Sequence, residues 1–189
     1  MTARWVVDVV QPERDLTVTW EPISLLFKNE PAPESEYYER SKYTHELLRV
    51  FESVKTDGGN DAAFAFYWEA ATRIHHDEKL DTTATEILEA VGLDTKHAAA
   101  SDDGATWDPI IRSKMHVGLD LVGHDVGTPI IAFDTPEGKT GIFGPVITRA
   151  PQGEEGLALW DAMVTMTTMD GFWELKRTRT ERPDFGERP

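Results

Sequence analysis

The segment Asp125-Val126-Gly127-Thr128-Pro129-Ile130-Ile131-Ala132-Phe133 decides the fold class of this chain. Ile130 to Phe133 is a short apolar run, suited to an inner β-strand. A proline placed just before it cannot donate to a ladder, so the Thr128-Pro129 step needs a reason. Two readings fit the local sequence equally. One is a trans-proline that initiates the strand. The other is a cis-proline that bends the chain and turns the preceding N–H and C=O towards a ligand. C-terminal to this segment, Thr135-Pro136-Glu137-Gly138 is turn material, and Gly141 to Val146 reads as the hairpin partner. Gly153-Glu154-Glu155 opens a last helix with Leu157, Trp160, Met163 and Val164 inward. The tail from Lys176 is charged and proline-bearing, and is expected to pack loosely.

On the N-terminal side the period changes. Residues 35–123 read as a run of helices without a convincing strand. Ser35 is the expected N-cap of the first, with Glu36 in its opening turn. Tyr43, Leu47, Val50, Phe51 and Val54 form one helical stripe, which Asp57-Gly58-Gly59 stops. Ala63, Phe66, Tyr67, Ala70 and Ile74 form a second, ending near His75-His76. Thr83 and Glu86 have capping-box spacing, and Asp94 or Thr95 caps a short helix after Gly92. Asp108-Pro109 places an expected N-cap before a proline at the first helical position. That helix runs through Ile111, Met115, Leu119 and Val122 to Gly123. Before all of this, Leu16-Thr17-Val18-Thr19-Trp20 alternates as a half-buried strand does, and Trp5, Val6, Val9 and Val10 share one face of an opening helix. The order is helix, strand, helical stretch, hairpin, helix. It is a βαβ–ββα pattern with the first β missing and a helical domain inserted between the halves.

Composition narrows the partners. The chain has 189 residues, 34 acidic and 19 basic, giving a formal charge of −15. That balance argues against nonspecific nucleic-acid binding, which needs a basic face, and against an anionic membrane surface. No apolar run approaches the roughly 20 residues of a membrane helix, and a cytoplasmic location is expected. Hydrophobic residues make up 40%, enough for one core with a helical annex. Cysteine is absent, so no disulfide, thiolate nucleophile or cysteine-based zinc site can be built from these residues. His75-His76-Asp77-Glu78 is a weak metal candidate, because adjacent helical residues point about 100° apart. No metal site is expected. No nucleophile elbow, phosphate loop or dinucleotide turn occurs.

These segments resemble the DsbA-like branch of the thioredoxin superfamily. They are most similar to the actinobacterial mycothiol-dependent reductases, which are dithiol oxidoreductases or nitroreductases. The resemblance is carried by Ile23-Ser24-Leu25 through Asn29-Glu30, Arg73-Ile74-His75, Asp125 to Pro129, Phe143-Gly144-Pro145-Val146, Gly153-Glu154-Glu155, Leu159-Trp160-Asp161 and Phe172 through Glu181. It implies an α/β, thioredoxin-like (DsbA-like) fold with an inserted all-helical domain. The thioredoxin-like domain would comprise residues 1–27 plus 116–189, and the inserted domain residues 28–115. By resemblance Pro129 is a cis-proline, and the backbone of Thr128 pairs with a bound thiol or disulfide. Asn29, Tyr38 and His75 match polar positions lining the cleft between the lobes. The implied co-substrate is the low-molecular-weight thiol mycothiol, with no bound cofactor.

The family places a Cys-Pro-x-Cys pair at the start of its first helix, where the helix N-terminus lowers the first thiol's pKa. The matching helix here begins at Met1, without cap or lead-in loop. The expectation is therefore that Met1 is an internal methionine of a longer protein, folding as a monomer or homodimer, and that the chain as it stands is inactive. Two other readings remain. One is a cysteine-free relative that binds a ligand or protein partner. The other is a thiol-dependent isomerase of the kappa-transferase type, which uses serine at the thiol position.

Overall fold

The computed structural model describes residues 1–189. The architecture is mixed α/β, mostly helical, with one small two-stranded sheet. Helix α1, Thr2–Trp5, continues into a π-helical turn over Val6–Val10. Then come α2 (Leu25–Asn29), α3 (Tyr38–His75), α4 (Ala84–Ala90), a 3₁₀ segment (Thr95–Asp102) and α5 (Gly104–Val122). Strands β1 (Ile130–Thr135) and β2 (Gly138–Phe143) and helix α6 (Gly153–Thr167) complete the chain. No helix is long and apolar enough to cross a membrane.

The chain forms two compact units. One comprises Met1–Val18 and Val117–Glu187, the other Thr19–His116 and Arg188–Pro189. The first holds the hairpin. Its strands are antiparallel, with Ile130 opposite Phe143 and Thr135 opposite Gly138 across the Pro136-Glu137 turn. Its core joins Trp5, Val6, Val9 and Val10 to Trp160 and Met163 of α6, with Ile131, Phe133 and Ile142 packed against them. Trp5 is fully buried, and its indole N–H donates to the Gly156 carbonyl at 3.1 Å. Gly156 has no room for a side chain, since a Cβ would meet the Pro151 carbonyl at 2.7 Å. The end of α5 lies on the hairpin at Gly118, where a Cβ would lie 3.6 Å from Ile130.

The second unit is built on α3, which is two helical stretches joined at Gly59, where φ is 75°. A positive φ suits glycine, so the Asp57-Gly58-Gly59 stop is legible and lies where expected. Both stripes are inward. Leu47, Val50, Phe51 and Val54 meet Ala63, Phe66, Ala70 and Ile74, together with Ile87 and Leu88 of α4. The Thr83–Glu86 capping box is formed, and Asp94 caps the 3₁₀ segment.

Several expectations are corrected. Residues 16–20 make no strand, because the only sheet is β1–β2. The backbone of Trp20 is bonded instead by side chains of α3. Its N–H donates to Asn60 Oδ1 at 2.9 Å, and its carbonyl accepts from the Lys55 ammonium. The second hairpin strand runs over Gly138–Phe143 rather than 141–146, since a two-residue turn starts it early and Gly144-Pro145 ends it. Ser35 does not cap α3. Its hydroxyl accepts from the Tyr37 N–H at 3.2 Å within a turn, and the helix starts at Tyr38. Asp108 does not cap α5. The helix already begins at Gly104, Asp103 accepts from the Thr106 N–H at 3.1 Å, and Asp108 is engaged elsewhere. The end of the tail is not loose: the Asp184 N–H donates to the Thr148 carbonyl at 2.7 Å, and Arg4 donates to the carbonyls of Phe185 and Glu187.

Candidate functional site

In the hairpin unit, Thr128 and Pro129 stand at the entry to β1. The Thr128–Pro129 bond is cis, as the resemblance implies, and so is Gly144–Pro145 at the exit of β2. The Gly144 N–H donates to the Pro129 carbonyl at 2.8 Å, one step beyond the Ile130–Phe143 pair. Thr128 is therefore the first residue outside the ladder, and it is exposed. Gly127 lies against the edge of the Phe143 ring, where a Cβ would be 3.6 Å away. Buried Thr2 ties α1 to the exit turn, its hydroxyl donating to the Pro145 carbonyl at 2.7 Å. The two proline turns thus sit side by side at one end of the hairpin, with a short helix fixed beside them.

In the helical unit, Asn29 is the last residue of α2 and is exposed. Tyr38 is the first residue of α3 and His75 its last. The turn at Gly59 folds the helix back, so that the charge of Arg40, two positions after Tyr38, acts on His75. Partial desolvation, and after it Arg40, pushes the His75 imidazole below the ordinary histidine range. Tyr38 and His75 stand at the two ends of α3. Thr128 and Pro129 belong to the other unit.

The model of the Rv2466c-like family, described as mycothiol-dependent nitroreductase Rv2466c, matches residues 1–177. The chain belongs to this family. The Rv2466c-like family is one of mycothiol-dependent oxidoreductases, so mycothiol is the thiol co-substrate that membership suggests. No group of three or more His, Cys, Asp or Glu side chains is placed to hold a metal ion, and His75-His76 is no exception.

The contacts by which Ser24, His45, Arg49 and Asp108 hold α2 of this chain in place were not singled out in the sequence, where Asp108 reads as a helix cap. Ser24 caps the helix, accepting from the Phe27 N–H at 3.2 Å. Its Oγ lies 2.9 Å from His45 Nδ1, and His45 Nε2 lies 3.0 Å from Asp108 Oδ1. Arg49 grips the same carboxylate through Nε at 2.6 Å and Nη2 at 3.0 Å. Burial lowers the His45 pKa; Asp108 opposes this, while Arg49 and Arg112 add to it. Burial alone would raise Asp108, but the Arg49 hydrogen bond and charge, with His45, hold it below the usual carboxylate range. The available signal was His45 and Arg49 four residues apart beside an apolar stripe, where both side chains share a helix face.

Proposed function

We propose that this chain supplies the thiol- and disulfide-recognition surface of a DsbA-like, thioredoxin-fold oxidoreductase that works with mycothiol. The reading rests on the family match over residues 1–177, joined to an exposed Thr128 standing just outside the hairpin ladder. Its main-chain N–H and C=O, outside that ladder, can bond an extended thiol substrate as a short added strand would. In the helical unit, Asn29, Tyr38 and His75 are the polar contacts that the resemblance implies. Asn29 can donate and accept through its carboxamide, Tyr38 through its phenol, and a neutral His75 has one donor and one acceptor nitrogen to share among its partners. Low pKa at His75 keeps it in that neutral form at pH 7.

The sequence contains no cysteine, so electron transfer to a disulfide or nitro group cannot be carried by any of these residues. These residues bind and orient, with the small thiol or disulfide as the partner. On this reading the thioredoxin-like part is residues 1–27 with 116–189 and the helical insertion is residues 28–115, with residues 19–27 packing in the helical unit. A cysteine-free ligand-binding role is the second reading, favoured by the same lack of a thiol.

Calorimetric titration of the 189-residue chain with mycothiol disulfide tests the proposal. Saturable binding is expected. It should weaken by about threefold to tenfold in Asn29→Ala or His75→Ala, the loss of one net hydrogen bond of about 1 kcal/mol. Absence of saturable binding, or binding unaltered in both variants, would overturn the assignment. Purified chain of verified mass should not reduce insulin disulfides or nitro compounds.

A further inference from the structure

Helix α2 is only five residues long, too short to be stable by its own propensity. Its orientation is set by what holds its ends and its one aromatic side chain, Phe27. The Phe27 ring lies 4.2 Å from the His45 ring and 3.5 Å from the Arg112 guanidinium, measured between centres. Its first turn is held by Ser24, which is fully buried. Its last residue is Asn29, followed by Glu30 in the left-handed conformation with φ 42°.

Directions along the buried chain follow from donor chemistry. An ionised Asp108 can only accept, so His45 Nε2 carries the proton and donates to it. His45 Nδ1 is then a lone pair that accepts the Ser24 hydroxyl proton. The Ser24 oxygen is left to accept from the Phe27 N–H. Every group is satisfied in one direction only, from the Phe27 N–H through Ser24 and His45 to Asp108, and Arg49 neutralises the far end.

The order Ser, His, Asp is also that of a hydrolytic triad. Here it cannot be one. Ser24 is 0% exposed, and its oxygen is occupied by the helix cap, so no acyl group can reach it. The arrangement has the geometry of a brace.

We propose that His45 and Asp108 are positioning residues for thiol recognition, acting through Ser24 and Phe27 to fix α2 and so to present the Asn29 carboxamide to a mycothiol-type disulfide. The inference rests on the reading of Asn29 as a ligand contact. It adds a support that lies entirely within the Thr19–His116 unit.

The test is a double-mutant cycle on the 189-residue chain with mycothiol disulfide as probe. His45→Phe keeps a ring against Phe27 and deletes both nitrogens. Asn29→Ala deletes the contact itself. Affinities are read by calorimetry at a temperature where circular dichroism shows every variant folded. Ser24→Ala serves as a second route to the same loss should His45→Phe fail to fold. His45→Phe should weaken binding by about threefold or more, and adding it to Asn29→Ala should cost almost nothing further, since coupled groups are non-additive. Amide exchange at Phe27 and Asn29 should rise by about tenfold in His45→Phe while Phe66 is unchanged. Wild-type affinity in His45→Phe beside a weakened Asn29→Ala would overturn the positioning role and leave the recognition reading standing. Fully multiplying losses would show a purely structural part for His45 and overturn the proposal. Unchanged affinity in Asn29→Ala would overturn this inference, whereas the recognition reading falls only if His75→Ala is unaltered as well.

Discussion

The hairpin unit and the helical unit bury their side chains in different ways. In the helical unit, Val50, Val54, Ala63, Phe66, Ile87, Leu88 and Ile111 are at most 1% exposed, and one carboxylate, Glu52, is buried among the helices against a partly exposed Lys114. In the hairpin unit, β1 alternates between half-buried and exposed positions, and Ile131, Phe133 and Ile142 stay only partly covered. The full burial there lies in α1 and α6, around Trp5 and Trp160 at 5.9 Å edge to face. A helix satisfies its own backbone, so an apolar stripe is enough to close a helical core. A strand needs a neighbour, and a pair of strands with open outer edges covers less of its own surface.

The contrast can be broken first at the cores. Phe66→Ala should destabilise the chain by about 3–5 kcal/mol, the usual range for a fully buried ring. Phe133→Ala should cost roughly 0.8–1.5 kcal/mol, because a half-buried ring gains about half of the 1.5–3 kcal/mol of full burial. Urea unfolding followed by tryptophan fluorescence measures both. Equal losses would remove the distinction between the units.

Next in size is the buried charge. Glu52 is 1% exposed and its Oε2 is held by Lys114 at 2.7 Å, while Oε1 has no hydrogen-bond partner. Lys114→Met removes the nearest cation and should cost about 3 kcal/mol, since it leaves a carboxylate buried without compensation. Pairing that change with Glu52→Gln should recover part of the loss. No recovery would mean that packing, and not charge, sets the cost.

Acid should act on the helical unit through the α2 brace. His45 has a folded pKa below its unfolded value of 6.5, so the unfolded chain takes up a proton first. Its contribution to stability is complete above pH 6.5 and is lost as pH falls from there through the folded value. Asp108, depressed below 3.8, adds a second loss at lower pH still, beneath its unfolded value. Thermal melts of wild type and His45→Phe between pH 7 and 5 should converge as pH falls. Parallel curves would contradict the burial of a neutral imidazole.

The smallest effect is at a cap. Thr83 both accepts from the Glu86 N–H at 3.2 Å and receives the Glu86 carboxylate on its own N–H at 2.8 Å. Thr83→Ala should cost about 1 kcal/mol, seen as a modest shift of the urea midpoint.

The ease of reading followed the same division. The α3 stripes, the glycine break at Gly59 and the Thr83 box were all legible, because helix periodicity and capping are local. The hairpin was legible from Pro136-Glu137-Gly138 and the flanking apolar runs. Residues 16–20 show the alternation of a strand in their burial, yet alternation marks faces and not partners. Asn60 and Lys55, some forty residues later, take the bonds of Trp20 that a ladder would have used. Asp108 carries the same lesson. Asp before Pro is a good local cap signal, but Arg49 and His45 compete for its carboxylate from another helix. Thr128, Pro129, Asn29, Tyr38 and His75 came from resemblance, whereas the Ser24–His45–Asp108 brace needed the fold to bring together positions spread over eighty-odd residues.

The central claim is the proposal that this chain recognises a mycothiol-type ligand, with Thr128 of the hairpin unit and Asn29 of the helical unit each tested as a contact. Its most direct test is an amide-resolved NMR titration of the isotope-labelled 189-residue chain with mycothiol disulfide. The account predicts saturable shifts at Thr128, Ile130, Asn29 and His75, with one common affinity, and little change along α4 or the Pro136-Glu137 turn. Saturable shifts confined to those distant segments, or none at any concentration reached, would contradict it.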